Sequence, residues 1–128
     1  KLDEFGVRVP EVTNASRLLN ELKEELILMS HLDVMVSMDS GNMHFASLVG
    51  TPVVSIWGAT HPYAGFMGWH QRMENAVQMD LSCRPCSIFG NKPCFRGDYA
   101  CMNLLDEATI IARVKAVIEE RKAHEKSR

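Results

Sequence analysis

DVMVSMDSGNMHFASLVGTPVVSIWG, residues 33–58, is the stretch whose reading decides the fold. Val34 to Met38 is short, almost wholly apolar and β-favouring, the pattern of a strand buried on both faces. It stops at Asp39, and Ser40 and Gly41 supply a sharp exit turn. Asn42 to Val49 then has helical spacing, with Met43, Ala46 and either Leu48 or Val49 on the face turned to a sheet. Gly50 closes that helix. Pro52 to Trp57 forms a second buried strand, and two strands joined by a short helical crossover run parallel. In such sheets ligands bind beyond the carboxyl ends of the strands.

That position dictates a chemistry. The first N–H groups of the 42–49 helix, approached over a glycine at 41, suit a phosphate or diphosphate, and Ser40 and Asn42 add hydrogen-bonding side chains. A carboxylate at Asp39 is unfavourable beside phosphate and better suited to accepting hydrogen bonds from sugar or ribose hydroxyls. Diphosphate and hydroxyls together indicate a nucleotide sugar. The competing reading is that Asp39, Ser40 and Asn42 only cap the helix while Gly41 makes the turn. Spacing leaves both open.

The run MDSGNMHFASLVGTPVVSIWGATHPYAGF resembles the signature of glycosyltransferase family 9, the ADP-heptose:lipopolysaccharide heptosyltransferases and relatives. The pattern D-[ST]-G-x-x-H-x-A, a Gly-x-Pro strand and G-x-T-x-P is supplied by Asp39, Ser40, Gly41, His44, Ala46, Gly50, Pro52, Gly58, Thr60 and Pro62. The later CRPCSIFGNKPCFRGDYACMNLL is similar to that family's Cys-rich segment, and the likeness covers roughly 22–118. The resemblance implies a Rossmann-like parallel sheet with flanking helices, corresponding to most of the C-terminal, donor-binding half of a two-domain GT-B enzyme. It implies donor binding by Asp39, Ser40, Gly41, Asn42, His44 and Thr60, with His44 supporting the turn rather than acting as a base. The partners so implied are an ADP-heptose-like nucleotide-sugar donor, a glycan or lipid-linked acceptor, and an N-terminal domain holding the catalytic carboxylate. No cofactor is required. Cytoplasmic work near the inner membrane surface is also implied.

The chain begins at Lys1 without an initiator Met, and a two-domain transferase needs about two to three times its 128 residues. It therefore reads as a single truncated domain, and the resemblance implies that it is inactive alone, since the family's acceptor-binding half and the lysine that approaches the donor phosphates from an earlier strand have no counterpart here. Composition fits a globular domain: 46% hydrophobic residues can fill one core, although few strands make it marginal without a neighbour. A net charge of -2 gives no case for nucleic acid. No apolar run approaches the roughly 18 residues of a membrane span, and no signal peptide is recognisable.

Elsewhere, KLDEFGVRVPEVTN lacks periodicity and reads as a loop or strand remnant. A first helix carries Leu22, Leu26, Met29 and Leu32 on one face and Glu21, Lys23, Glu24 and Glu25 outward, with Asn20 or Asn14 as cap. Through the resemblance, Asn20 and Glu21 also become weak candidates for donor contacts. In the last helix Asp106 is the N-cap, Ile110, Ile111, Val114, Val117 and Ile118 form the core stripe, and the tail RKAHEKSR frays. The loop HPYAGFMGW, with His61, Tyr63, Phe66 and Trp69, covers the sugar, packs as a lid or meets another domain. Cys83, Cys86, Cys94 and Cys101 have the spacing C-x2-C-x7-C-x6-C, open to structural zinc, to packed free thiols, or to disulfide and redox chemistry. Arg84, Lys92 and Arg96 make that loop locally basic, for a phosphorylated ligand or for solvent.

The expected function is the donor-binding domain of a transferase that moves a heptose or related sugar from a nucleotide diphosphate sugar to a lipopolysaccharide-type acceptor. Two rivals are a non-catalytic, zinc-stabilised α/β interaction module and another GT-B-like nucleotide-sugar enzyme such as an epimerase.

Overall fold

A computed structural model describes residues 9–126. The opening residues 1–8 and the last two of the basic tail lie outside the described residues. In chain order the elements are α1 (Leu22–Ser30), β1 (Met35–Met38), α2 (Gly41–Leu48), β2 (Val53–Trp57), β3 (Ala76–Gln78), a short α3 (Ala100–Asn103) and α4 (Glu107–Lys126), with 3-10 turns at 15–17, 62–64 and 73–75. The three strands lie in the order β1-β2-β3, both pairings parallel, with Met35 opposite Val53 and Ser55 opposite Ala76. The expected strand, helix and strand are all present. β3 was not anticipated, because Ala-Val-Gln carries no apolar run of its own and becomes a strand only against β2.

Alternation along β2 divides the core. Val53 and Trp57 join Met29 of α1 and Met43 and Ala46 of α2 on one face. Val54 joins Val77 and Val117 of α4 on the other, with Ile110, Val114 and Leu105 packed around them. The result is an α/β/α sandwich with a Rossmann-like sheet. Val49 packs on the core while Leu48 is exposed, which settles the alternative left open for the second helix. Gly50 adopts a φ of +77° after the C-cap, the left-handed turn that ends a helix.

Several sequence expectations are corrected by this packing. β1 is a sheet edge, and α4 packs on β2 and β3. Val36 and Met38 consequently stay 45% and 46% exposed, so β1 is covered on one face only. Leu22 and Ile111, assigned to helix core stripes, are exposed because each lies beyond the area its helix covers. Neither Asn20 nor Asn14 caps α1. Asn14 instead accepts from Ser16 N–H at the preceding 3-10 turn, and Glu24 reaches back past the N-cap Glu21 to accept from Asn20 N–H at 2.7 Å. Asp106 does cap α4, its Oδ1 accepting from Ala108 N–H at 2.9 Å. The helix then runs on to Lys126 instead of fraying, because Arg121 donates to the carbonyls of Leu32 and Asp33 and Glu120 pairs with Arg72 and Arg113. Among the described residues no helix is long and apolar enough to cross a membrane.

Candidate functional site

β1 and β2 both end at the same edge of the sheet, so Asp39 and Gly58 emerge side by side. There Asp39, Gly58, Thr60, Phe89, Gly90 and Met102 line an open cleft of about 300 Å³. Asp39 is partly exposed and Thr60 only 7% exposed. The structure thus brings two of the sequence-derived candidates, Asp39 and Thr60, into one cleft.

Ser40, Gly41 and Asn42 lie next to it at the start of α2, all exposed. Ser40 occupies the N-cap position with extended backbone, yet its hydroxyl makes no capping bond and lies 3.1 Å from Ser37 Oγ. The capping role that competed with anion binding is therefore not the one Ser40 performs. A side chain built at Gly41 would meet only Phe45, at 3.8 Å, so the glycine is not demanded by internal packing. The N–H groups beside it present a positive helix terminus of the kind that holds phosphate. His44 sits one turn later and is exposed. His61 is engaged locally: Nδ1 accepts from Tyr63 N–H at 3.1 Å and caps the 62–64 turn. Tyr63 and Trp69 are 85% and 65% exposed, whereas Phe66 packs on the core. Asn20 and Glu21 are exposed at the start of α1.

The far wall of the cleft comes from the Cys-rich segment. Met102 of α3 lies over Gly58, where a Cβ would come within 2.8 Å of its Sδ, so a larger residue there would displace the Met102 side chain. Arg84 fastens the segment to the sheet. Its guanidinium donates to the carbonyls of Gly58 (2.6 Å), Thr60 (2.9 Å) and Met79, and to the Gln78 side chain (3.0 Å). Burial lowers its pKa, and the thiols of Cys101, Cys83 and Cys86 with Asp80 oppose that shift. Arg84 is thus committed to the backbone and is not the phosphate ligand that a basic loop suggested. Arg96 pairs with Asp98 at 3.0 Å.

Cys83, Cys86, Cys94 and Cys101 are free thiols lining one small crevice with Arg84. Among the described residues, no three His, Cys, Asp or Glu side chains are grouped to hold a metal ion. A guanidinium close to three of the thiols works against a cation there. Cys94 differs from its neighbours. The N–H of Tyr99, then those of Gly97 and Arg96, point at its sulfur and hold its thiol pKa below the usual value.

A larger cavity, about 770 Å³, opens at the amino end of the strands beside Gly50, Asn75 and Arg121. Volume does not make it the better candidate. Its Arg72 is paired with Glu74 and Glu120, and its Arg121 is spent on two backbone carbonyls.

Sequence reading located the β1 end and the α2 start but missed Phe89, Gly90 and Met102. An aromatic before Gly-Asn in SIFGN was the only local signal, and a weak one.

Comparison with known proteins bears on the same segment. The model of glycosyltransferase family 9 (heptosyltransferase) matches residues 15–92, more than half of the chain, ending before Cys94 and Cys101. Lipooligosaccharide heptosyltransferase 2 of Campylobacter jejuni serotype O:6 (strain 81116 / NCTC 11828) is 29% identical over 83 residues, covering 65% of this chain and 25% of that protein. The protein of the same name from serotype O:2 (strain ATCC 700819 / NCTC 11168) is 28% identical over 87 residues, covering 68% and 26%. The chain therefore spans about a quarter of the length of these curated relatives. No solved structure matches significantly. With the family signature at the carboxyl edge of a parallel sheet, the chain belongs to glycosyltransferase family 9.

Proposed function

We propose that this chain is the donor-binding part of a GT-B glycosyltransferase, taking a nucleotide diphosphate sugar of the ADP-heptose type for transfer to a lipopolysaccharide-type acceptor. The observation that carries the reading is the pairing, in a family 9 chain, of an exposed helix N-terminus at Gly41 with a carboxylate at Asp39 opening into a cleft. The diphosphate sits against the N–H groups of Gly41 and Asn42, with the Ser40 and Asn42 side chains beside it and His44 supporting the turn. Asp39 accepts from sugar or ribose hydroxyls, and Thr60 borders the sugar.

In transfer, an acceptor hydroxyl attacks the anomeric carbon while the bond from that carbon to the diphosphate oxygen breaks. The hydroxyl proton passes to a base outside these residues. The helix terminus stabilises the charge that grows on the leaving diphosphate, and no cofactor is required. Both Campylobacter relatives are named as lipooligosaccharide heptosyltransferases, which supports a heptose donor and a glycolipid acceptor. Such an enzyme would work at the cytoplasmic side of the inner membrane.

Calorimetric titration with ADP, UDP and GDP tests the reading. One nucleotide should bind, and Gly41→Val should abolish binding without unfolding the chain, since the site has room for the side chain but not for side chain and phosphate together. Asp39→Ala should weaken the nucleotide sugar about tenfold or more, the scale of one lost hydrogen bond to a charged group. Unchanged affinities in both variants would remove the proposed site.

A further inference from the structure

Phe89 is 75% exposed, as is Phe95, but the two are held differently. Phe89 stands on a braced turn. The buried Ser87 hydroxyl accepts from Gly90 N–H at 2.9 Å and lies 3.2 Å from Asn91 Oδ1. Gly90 takes a φ of +69°, and a Cβ there would touch the Thr60 methyl at 3.7 Å. Phe66, anchored on the core, lies against the Phe89 ring with centroids 6.0 Å apart. A large apolar ring on a braced turn, with Phe66 against it, is thus left open to solvent in a cleft whose other lining residues include the Asp39 carboxylate and Thr60.

An aromatic face and a hydroxyl acceptor bordering one cleft match the two sides of a pyranose, which carries C–H patches on its faces and hydroxyls around its rim. We infer that Phe89 is the platform for the donor's sugar ring, so that the Cys-rich segment, and not only the β1 and β2 ends, determines which sugar is accepted. This rests on the nucleotide-sugar reading above. Under it, Asp39 holds the rim and Phe89 covers a face, while the diphosphate lies outside the cleft at the α2 start. The platform therefore contributes to binding of the sugar and not of the nucleotide.

The test measures, on the full chain, dissociation constants for each nucleotide and its sugar conjugate: ADP with ADP-heptose, UDP with UDP-glucose, and GDP with GDP-mannose. Phe89→Ala should leave the nucleotide within about twofold of the unchanged protein and weaken its conjugate about tenfold, the scale of leaving half a phenyl ring uncovered. Phe89→Tyr should restore the conjugate, and Phe95→Ala should change neither. Equal losses for nucleotide and conjugate in Phe89→Ala would mean the ring stacks on the base, and no loss in either would mean it touches no ligand. Both results overturn the inference while leaving the donor site standing. Absence of any nucleotide binding by the unchanged, folded protein would instead overturn the donor-site reading, and the platform with it.

Discussion

The two ends of the three-stranded sheet are fastened by opposite kinds of group. At the amino end a neutral amide does it. Gln71 Oε1 accepts from Val53 N–H at 2.8 Å, and its Nε2 donates to the Thr51 carbonyl at 3.0 Å and to Ser47 Oγ at 3.1 Å. Ser47 in turn donates to the Met43 carbonyl, and Thr51 to that of Met29, so α1, α2 and the start of β2 form one closed network. At the carboxyl end a guanidinium, Arg84, collects carbonyls from the loops after β2 and β3. Beside it Asp39, the α2 N-terminus and Phe89 remain open. The difference teaches how a small sheet separates tasks: the end whose polar groups satisfy one another supplies rigidity, and the end that leaves some open supplies the candidate site.

The largest break in that contrast should come from Arg84→Met. It leaves the carbonyls of Gly58, Thr60 and Met79 without their charged donor, a loss of about 3 kcal/mol, or a fall in melting temperature of about 12 °C at this chain length. Thermal unfolding followed by circular dichroism measures it. Nucleotide-sugar affinity of the folded fraction should also drop, because Thr60 and the Phe89 turn lose their shared anchor. Arg84→Lys should recover less than half of the stability, since one ammonium cannot match a planar fork aimed at several acceptors. A melting temperature unchanged by Arg84→Met would show that the carboxyl end is held by packing of Met102 over Gly58 instead.

A smaller and more selective effect is expected at the other end. Gly68 is buried against α2, and a methyl group there would overlap Ser47 Oγ and crowd Gln71. Gly68→Ala should cost about 2 kcal/mol, the usual scale for overpacking, by pushing the Gln71 side chain out of its network. Affinity for the nucleotide should stay within twofold, since nothing at the carboxyl edge is touched. If affinity falls in step with stability, the two ends are coupled and the division of tasks fails.

These two anchors also mark what could be read from the sequence and what could not. The β1, α2 and β2 segments were legible because their signals are local: apolar runs of strand length, Gly41, Gly50 and Pro52 at the breaks. The placement of Asp39, Ser40 and Gly41 at the carboxyl edge was legible because a strand end followed by a helix start has one geometry whatever surrounds it. Gln71 and Arg84 were not, because their partners lie up to 24 and 26 residues away and no spacing in the chain announces them. β3 and the exposure of Val36, Leu22 and Ile111 were hidden for the same reason, being decided by which neighbour covers which face. Phe89 drew no reading from the sequence, because only the fold puts it in one cleft with Asp39.

The smallest expected effect lies in the Cys-rich segment. The backbone N–H groups of Tyr99, Gly97 and Arg96 favour the thiolate of Cys94 over the thiol in the folded chain, so its pKa is lower folded than unfolded. A group depressed in this way contributes stability that is fully present above its unfolded pKa, about 8.5 for a thiol, and lost as pH falls through the folded value. The chain should therefore become slightly more stable on going from neutral to mildly alkaline pH, and Cys94→Ser should flatten that rise. Reactivity reads the same linkage more sharply. Iodoacetamide labelling of Cys94, followed by mass spectrometry, should reach half its limiting rate at a lower pH in the native chain than in urea. Coincident profiles would mean that the three N–H groups do not engage the sulfur, leaving Arg84 as the polar anchor of the segment.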